Sequence, residues 1–356
     1  MRQTQRKFQA ALQVLIPPLN LERQVQVSEL RWNPTLDEWV ITATHRQERT
    51  FFPPPDYNPL APTKPGGFPT EVPAPDYEIV VFENKFPSLR STAPEPSVTG
   101  TNLEPVHPSQ GVCEVICYTP DADTELAVMP IGKIEELVFV WQDRFRELDS
   151  RDYVKYVYIF ENKGKEIGVT LSHPHGQIYA YPFIPPIPER EIRAARTHFT
   201  KTGRDLYGDI LQREIDDGAR IVATNEHFIA MVPFYARYPY EVHIVARSQR
   251  PAIVDLDAAE SRALAEILKI VMMKYNNLWN RTMPYIMLMH QRPSDGTSDD
   301  YRFYRFHIEF YPPYRTPDKL KYLAGSEAGA GVFINDTHAE VTAQTLRDTH
   351  TNPDYS

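Results

Sequence analysis

The sequence is poor in cysteine, with only two among 356 residues, and it has no apolar run long enough to span a membrane. Two cysteines exclude a disulfide framework, and Cys113 and Cys117, four apart in a predicted strand, should share one face as buried thiols. The stretch before Leu15 lacks a continuous apolar segment, which predicts a cytoplasmic protein without membrane contact. Basic residues are also in the minority, 38 against 47 acidic ones, which argues against a nucleic-acid partner. Any recognition of phosphate must therefore be local.

Proline is abundant instead, with 33 residues, and nine of them fall between Pro53 and Pro75. Regular secondary structure is excluded there, because proline lacks the amide hydrogen and fixes its own φ. The stretch is either a disordered linker or an ordered loop packed on the body of the protein. Its aromatic residues favour the ordered loop, and these are Phe51, Phe52, Tyr57 and Phe68.

The rest of the chain contains clear strand and helix patterns. With 42% hydrophobic residues it can bury one large core or two medium ones. Strand patterns occur at 77–82, 113–118, 153–160, 177–181, 228–232, 242–246 and 303–311. Apolar residues at helical spacing predict helices at 134–148 and 258–279, and the charged segment 189–217 predicts a helical connector.

These elements occur in the same order twice. Each half has a long helix, then a strand, then a strand that carries histidine and closes on Tyr-Pro. The first half ends in HPHGQIYAYP and the second in FHIEFYPP. The repeated order predicts an α+β fold of two similar modules, each an antiparallel sheet with packed helices.

The run His173-Pro174-His175-Gly176-Gln177 carries the clearest chemistry. In an extended segment the two imidazoles leave the same face, and Pro174 limits their motion. Neutral imidazole is a nucleophile near pH 7 and later a good leaving group, which suits two-step transfer of a nucleotidyl group by His175. Gln177 can donate to a phosphoryl oxygen, and Gly176 removes a side chain where phosphate and backbone would approach.

A lone strand histidine is more often structural than catalytic. Here, however, Glu161-Asn162-Lys163-Gly164 ends a strand upstream, and Gly168 follows before the histidines. Such a polar loop can hold phosphates with backbone amides and the Lys163 ammonium. The loop and the histidine run together favour the nucleophile.

These residues resemble the galactose-1-phosphate uridylyltransferases of the histidine-triad superfamily. The resemblance runs from about Glu29 to Arg347, in the family's order. It rests on RWNPTLDEWV, THRQER, VFENKFP, EVICYTPD, YIFENKG, HPHGQIYA, PFYARYPYEVHIV, FHIEFYPP and KYLAGSE. It implies two tandem histidine-triad-like modules: residues 1–188 with the nucleophile, a helical connector at 189–218, and residues 219–356 with a sugar-binding tail.

The resemblance also implies a ping-pong reaction without an organic cofactor. His175 takes UMP from UDP-glucose, glucose 1-phosphate leaves, and a hexose 1-phosphate accepts UMP. Gln177 would hold the uridylyl phosphate. Other matching substrate-binding positions are Arg46, Arg49, Phe82, Asn84, Asn162, Lys163, Gly168, Thr170, Ser172, His173, Lys321 and Glu327. In this family one of the two arginines reaches the active site of the other subunit, which implies a homodimer.

The chain departs from the family at a structural zinc site. Many members bind zinc with Cys-x-x-Cys, a distant histidine and the first histidine of His-Pro-His. In this chain the Cys-x-x-Cys positions read Asn58-Pro59-Leu60-Ala61, and Ala122 stands at the position of the distant histidine. Of the four ligands only His173 remains. Zinc would have too few thiolate and imidazole ligands. We therefore predict that zinc is absent there and that packing and hydrogen bonds hold the proline-rich loop.

A second metal site of the family uses a glutamate of the connector and three histidines of the second module. The matching residues here are Glu191, His290, His307 and Glu309. Two imidazoles and two carboxylates suit one zinc or iron ion. The alternative is a polar face without metal, in which Arg305 pairs with Glu309.

The preferred sugar and base stay open. Ser326 and Val341 replace a tyrosine and a glutamine often found at the sugar, and Lys85 replaces an aspartate seen near the nucleotide. Three alternatives to uridylyl transfer follow: transfer or phosphorolysis of another nucleotide sugar such as ADP-glucose, hydrolysis of the histidine-triad type, and nucleotide binding without catalysis.

Overall fold

The computed structural model describes residues 28–48, 57–67, 69–297 and 300–351. Contacts divide the chain into two compact units. Of the described residues, the smaller unit contains 28–48 and 94–109, and the larger unit contains the rest.

The smaller unit is a three-stranded antiparallel sheet followed by a short helix. Its strands are β1 (Ser28–Asn33), β2 (Glu38–Ala43) and β4 (Val106–Pro108), and a 3-10 helix covers Thr44–Glu48. The order across the sheet is β2-β1-β4. Glu29 is buried and accepts hydrogen bonds from the Arg31 guanidinium and the Ser97 amide. The sequence patterns do not predict this sheet, because its strands are short and half-exposed.

Within the described residues, the larger unit is built on one antiparallel sheet of nine strands. In chain order they are β3 (Val80–Glu83), β5 (Val112–Cys117), β6 (Tyr156–Lys163), β7 (His175–Tyr181), β8 (Ile221–Thr224), β9 (Phe228–Met231), β10 (Val242–Ala246), β11 (Tyr285–His290) and β12 (His307–Tyr311). Across the sheet the order is β3-β5-β7-β6-β11-β12-β10-β9-β8. A separate hairpin contains β13 (Tyr314–Thr316) and β14 (Lys319–Leu320). The helices are α1 (Ile131–Asp149), α2 (Pro186–Thr202), α3 (Leu206–Asp217), α4 (Ala258–Leu278) and α5 (Ala339–Asp348).

The strand order shows the predicted duplication. Counted toward the centre of the sheet, the first half has the order β5-β7-β6. Counted toward the centre from the opposite edge, the second half has the corresponding order β10-β12-β11. A long helix links the corresponding strands: α1 follows β5 and precedes β6, and α4 follows β10 and precedes β11. The halves join where β6 pairs with β11. The predicted α+β class is therefore confirmed, whereas the division at residues 188 and 218 stays a prediction.

The main core includes α1 and α4, which pack against each other beside the sheet. In α1 the predicted apolar stripe, from Ile134 to Phe145, is at most 1% exposed. Helix α4 begins with a capping box, in which Asp257 and Glu260 each accept a hydrogen bond from the other's amide. Each large side chain buried here contributes about 1.5–3 kcal/mol. In the described part of the chain, no helix combines the length and the apolar character needed to cross a bilayer.

The described part of the proline-rich stretch is an ordered loop. Leu60 and Val72 are 2% and 1% exposed, and the Thr63 amide donates to the Val72 carbonyl at 3.0 Å. The Thr70 hydroxyl donates to the Ala61 carbonyl at 2.6 Å. The ordered-loop interpretation is confirmed for these residues. Phe51, Phe52 and Phe68 lie outside the described residues.

Two elements differ from the sequence prediction. The segment 303–311 is a strand only from His307, because Phe303 and Tyr304 pack in a loop against α2. Aromatic residues favour strands mainly because strands are buried, and a buried loop satisfies the same preference. The connector consists of two helices, because Gly203 ends α2 in the left-handed region at φ 71°.

The two cysteines are confirmed as buried thiols, each 0% exposed. Burial raises the pKa of Cys117 to about 12. The Cys117 thiol therefore stays protonated in the sheet.

Candidate active site and candidate metal centre

The predicted nucleophile begins β7, on a face of the sheet that it shares with other predicted site residues. Gln177 pairs with Phe160 on β6 and with Val115 on β5, and Val115 pairs with Phe82 on β3. His175 is two residues from Gln177, and residues two apart on a strand share a face. On this face Phe82 and Gln177 lie in one row across the strands, and His175 lies in the next row on the same face.

The backbone orients the ring of His175. Its Nδ1 lies 2.7 Å from the His173 carbonyl oxygen. Because a carbonyl only accepts hydrogen bonds, Nδ1 carries the hydrogen and Nε2 keeps the lone pair. The side chain is partly exposed, so a substrate can reach it. A nucleophilic imidazole requires this arrangement.

Gly176 is required by packing behind the strand rather than by a phosphate in front of it. A Cβ there would lie 2.3 Å from the Tyr118 hydroxyl oxygen. That hydroxyl donates to Glu161 Oε2 at 3.0 Å, and the Tyr285 hydroxyl donates to Glu161 Oε1 at 2.9 Å. Burial raises the pKa of Glu161 to about 7. The sequence analysis predicts Glu161 in a phosphate-binding loop. The structure instead buries its carboxyl behind β7, the strand of the nucleophile.

His173 is 1% exposed and is held by three polar groups. Asn58 Nδ2 lies 3.0 Å from its Nδ1, while the Tyr77 hydroxyl lies 3.0 Å and the Thr119 carbonyl oxygen 2.8 Å from its Nε2. Burial lowers the pKa of His173 and so favours the neutral ring. The hydrogen bonds predicted to hold the proline-rich loop are present through Asn58. The absence of zinc stays a prediction.

The end of β6 divides its predicted site residues between two faces. By alternation along the strand, Asn162 lies on the face that carries His175. Lys163 lies on the other face, where its ammonium pairs with Glu125 and lies 5.4 Å from the centre of the Tyr285 ring. The structure therefore does not bring the Lys163 ammonium to the nucleophile.

The loop after β6 depends on glycine, and the segment after β3 contains an asparagine turn. Gly164 has φ 106°, and a Cβ there would lie 2.3 Å from the Pro284 Cβ. Gly168 has φ 84° and ends a 3-10 turn. Asn84 follows β3, and its Oδ1 accepts a hydrogen bond from the Phe86 amide at 2.9 Å.

For four other predicted site residues the structure gives only the burial or the element, or does not describe the residue. Thr170 is partly buried and Ser172 is exposed. Arg46 lies on the 3-10 helix of the smaller unit. Arg49 lies outside the described residues.

The two residues predicted to bind the sugar contact each other. Lys321 is 8% exposed, and its ammonium contacts Glu327 Oε1 at 3.3 Å and the Ile334 carbonyl. Glu327 also accepts a hydrogen bond from the Ile334 amide at 3.4 Å. The pair closes the segment that follows β14.

The four predicted metal ligands lie together. Glu191, His290, His307 and Glu309 each place one ligand atom within 4.8 Å of the others. His290 ends β11 opposite His307, which begins β12, and Glu309 follows on the same face. Glu191 comes from α2.

The distances in this cluster fit a cation. His307 Nε2 lies 3.6 Å from Glu309 Oε1 and 4.0 Å from Glu191 Oε2, and His290 Nε2 lies 3.8 Å from Glu309 Oε2. Ligands about 2.1 Å from a tetrahedral zinc are roughly 3.4 Å apart. Within the described residues, His290 Nε2 is buried without a hydrogen-bond partner. The cluster can therefore hold a metal ion.

The cluster is strongly charged for a buried site. Burial alone would lower the pKa of His290, but the carboxylates of Glu191 and Glu309 raise it to about 9. Burial would raise the pKa of Glu309, but the neighbouring histidines, His243 first, hold it well below its usual range. His243 Nε2 lies 2.8 Å from Glu241 Oε1 and 3.3 Å from Glu309 Oε1. His243 is thus both a satisfied strand histidine and a neighbour of the cluster.

In the metal-free alternative Arg305 pairs with Glu309, and the structure does not show that pairing. The Arg305 guanidinium pairs with Asp205 at 2.8 Å instead. The backbone carbonyl oxygen of Arg305 lies 2.9 Å from Nδ1 of His307, which is two residues later in the chain. His307 therefore repeats in the second half the local geometry that orients His175 in the first.

Comparison with known proteins agrees with this arrangement. Residues 18–185 match the family model described as galactose-1-phosphate uridyl transferase, N-terminal domain, and residues 191–352 match its C-terminal domain. The galactose-1-phosphate uridylyltransferase of Thermotoga maritima is 42% identical over 90% of this chain and 98% of that protein. The rat enzyme of the same name is 32% identical over 91% of this chain and 88% of its own length. A solved uridylyltransferase structure superposes with a TM-score of 0.80 at 33% identity, over 90% of this chain and 97% of that one. The chain therefore belongs to the galactose-1-phosphate uridylyltransferase family.

Proposed function

We propose that this chain transfers UMP from UDP-glucose to a hexose 1-phosphate through a covalent uridylyl group on His175. The hydrogen bond of 2.7 Å from His175 Nδ1 to the His173 carbonyl carries the proposal, because it makes Nε2 the nucleophilic atom. Family membership supports the substrate class, since the matching relatives are named for uridylyl transfer to galactose 1-phosphate.

The proposed reaction has two balanced steps. In the first, the Nε2 lone pair of His175 attacks the α-phosphorus of UDP-glucose. An N–P bond forms, the bond from that phosphorus to the bridging oxygen breaks, and glucose 1-phosphate leaves with the electron pair. Nδ1 keeps its hydrogen, so the ring becomes cationic and the His173 carbonyl stabilises it. In the second step, a phosphate oxygen of the hexose 1-phosphate attacks the phosphorus and Nε2 leaves.

Other side chains on the same face suit the substrate. We assign the Gln177 amide to a non-bridging phosphoryl oxygen, because it lies two residues from His175 and stays neutral. Lys163 is omitted, since its ammonium pairs with Glu125. Arg46 or Arg49 would reach the active site of the other subunit in a homodimer. Further proposed contacts are Phe82, Asn84, Asn162, Gly168, Thr170, Ser172, Lys321 and Glu327.

The metal centre has a structural role in this proposal. Glu191, His290, His307 and Glu309 would hold one zinc or iron ion. A bound cation would offset the repulsion between two buried carboxylates. It would also tie α2 to β11 and β12, the elements that carry its ligands.

Intact-mass measurement tests the nucleophile. The protein is incubated with UDP-glucose and, separately, with ADP-glucose, each without an acceptor. We expect one uridylyl adduct with UDP-glucose, mapped to His175 by peptide sequencing. His175→Ala should form none, whereas His198→Ala, at a partly buried position on α2, should keep it. An adduct that persists in His175→Ala would refute the mechanism.

Addition of sugar 1-phosphates then identifies the reaction. Loss of the adduct with appearance of a new UDP-sugar is expected for a transferase. Free UMP released without an acceptor would indicate a hydrolase instead. An adenylyl adduct formed in preference to the uridylyl adduct would indicate a different nucleotide sugar.

A further inference from the structure

We propose that Asn58 is a positioning residue for the nucleophile. Its side-chain amide holds His173 as the neutral tautomer with hydrogen on Nε2, and the His173 carbonyl then directs the ring of His175. The proposal rests on the proposed function only for the role of His175. The state of the His173 ring can be measured without any substrate.

The hydrogen bonds around Asn58 fix which atom faces the histidine. Asn58 Oδ1 accepts a hydrogen bond from the Leu60 amide at 3.0 Å. The Nδ2 group therefore lies toward His173, 3.0 Å from its Nδ1. An amide nitrogen only donates, so Nδ1 must be the acceptor and carry no hydrogen.

The opposite side of the ring requires the same tautomer. His173 Nε2 lies 2.8 Å from the Thr119 carbonyl oxygen, which only accepts, so Nε2 carries the hydrogen. The Tyr77 hydroxyl lies 2.8 Å from the same carbonyl and 3.0 Å from Nε2. It can donate to the carbonyl and accept from Nε2. Every polar atom of the ring is then satisfied, at a site that is 1% exposed.

The position of His173 is passed to His175 through the backbone. The two residues are separated only by Pro174, whose φ is fixed. The Pro174 carbonyl accepts a hydrogen bond from the Tyr118 amide at 3.1 Å, and the His173 carbonyl accepts one from His175 Nδ1 at 2.7 Å. A shift of the His173 ring therefore moves the carbonyl that aims the nucleophile. Misplacement of reacting groups by about 1 Å can reduce a rate roughly 100-fold.

The direction of the hydrogen bond from Asn58 to His173 distinguishes a positioning role from simple packing. An aspartate at this position has nearly the same shape and can still accept from the Leu60 amide. It cannot donate to Nδ1, so it would draw a second hydrogen onto His173. Asn58→Asp thus keeps the turn and reverses one hydrogen bond.

A matched control comes from the other end of the sheet. Asn225 also caps a turn, accepting from the His227 amide at 3.1 Å, and it donates to the Ala263 carbonyl at 2.7 Å. It lies between β8 and β9, five strands or about 24 Å from β7. Asn225→Asp therefore makes the same chemical change far from the nucleophile.

The test combines nitrogen NMR with the rate of adduct formation. With 15N-labelled histidine, and His173 assigned by comparison with His173→Gln, the wild-type ring should show one protonated and one unprotonated nitrogen. Asn58→Asp should show both protonated, whereas Asn225→Asp should match the wild type. The rate of adduct formation with UDP-glucose should fall about 10- to 100-fold in Asn58→Asp at unchanged half-saturation, and stay near wild type in Asn225→Asp.

The outcomes separate this proposal from the proposed function. Unchanged His173 nitrogens in Asn58→Asp, or a wild-type rate despite a changed ring, would overturn the positioning role. An equal loss of rate in Asn225→Asp would also overturn it, because the effect would then reflect general destabilisation. If the wild-type protein forms no adduct, the proposed function fails, while the NMR result still decides whether Asn58 sets the state of His173.

Discussion

The buried carboxyl of Glu161 predicts a distinctive dependence of stability on pH. It is 5% exposed and accepts hydrogen bonds from the hydroxyls of Tyr118 and Tyr285. Burial raises its pKa from 4.5 to about 7. Glu161→Gln removes the titrating group and keeps the size of the side chain, so comparison with the wild type isolates the effect.

The sign follows from proton binding. The folded protein binds this proton more tightly than the unfolded chain, so the contribution to stability is complete below pH 4.5 and is lost as the pH rises through about 7. The pKa values of 4.5 and about 7 differ by about 2.5, and at about 1.4 kcal/mol per pH unit this amounts to about 3.5 kcal/mol. With an unfolding entropy of about 2 cal/mol/K per residue, this full contribution corresponds to about 5 °C in Tm for a chain of 356 residues.

Thermal unfolding at pH 5 and pH 8 tests the reasoning. The Tm of Glu161→Gln relative to wild type should rise by about 3–4 °C between the two pH values, because only the wild type loses the contribution. Glu104→Gln, at an exposed position, removes the same formal charge and should show no such change. A relative Tm of Glu161→Gln that is constant, or that falls toward pH 8, would refute the assignment of a raised pKa to this carboxyl.

Two further predictions concern the packing behind the nucleophile and the metal centre. Gly176→Ala should lower both Tm and the rate of adduct formation, because its methyl group meets the Tyr118 hydroxyl 2.3 Å away, and adding Tyr118→Phe should restore part of each. A single variant with wild-type Tm and rate would contradict the packing argument. His290→Ala should reduce the metal content found by mass spectrometry from about one ion per chain to nearly none, whereas His198→Ala should keep it. Equal metal content in the two variants would place the ion elsewhere.

Local patterns predicted much of the larger unit. The strand predicted at 242–246 coincides with β10, and the helix predicted at 258–279 differs from α4 by one residue. These elements are predictable because their buried faces repeat at the period of the backbone. The end of β6 was predicted at residue 160, but the strand continues to Lys163. Because Lys163 belongs to the strand and not to a loop, strand alternation determines its face of the sheet, which a loop prediction does not supply.

Contacts between distant segments were not predictable in the same way. Asn58 and His173 are 115 residues apart, and Glu191 and His290 are 99 apart. No local period encodes such pairs, since the strand order and the path of the connecting loops determine them. The resemblance to a family named the metal ligands, but only the fold brings α2 beside the ends of β11 and β12.

The duplication explains how one local geometry can serve two different ends of the sheet. His175 begins β7 and His307 begins β12, and each ring donates from Nδ1 to the carbonyl two residues earlier. The side chains that neighbour each ring differ. Two residues along its own strand, His175 has Gln177, whereas His307 has Glu309.

The neighbouring strands repeat this difference. On β6, Asn162 lies on the face that carries the first histidine, two residues beyond the Phe160–Gln177 pair, and on β11 His290 pairs with the second histidine. Neutral amides can contact phosphate oxygens without repelling them, so the first half can receive a dianionic substrate. A carboxylate repels phosphate, and together with a second imidazole it suits a cation, so the second half can hold a metal ion. The chemistry of each half therefore follows from two side chains on an otherwise repeated pair of strands.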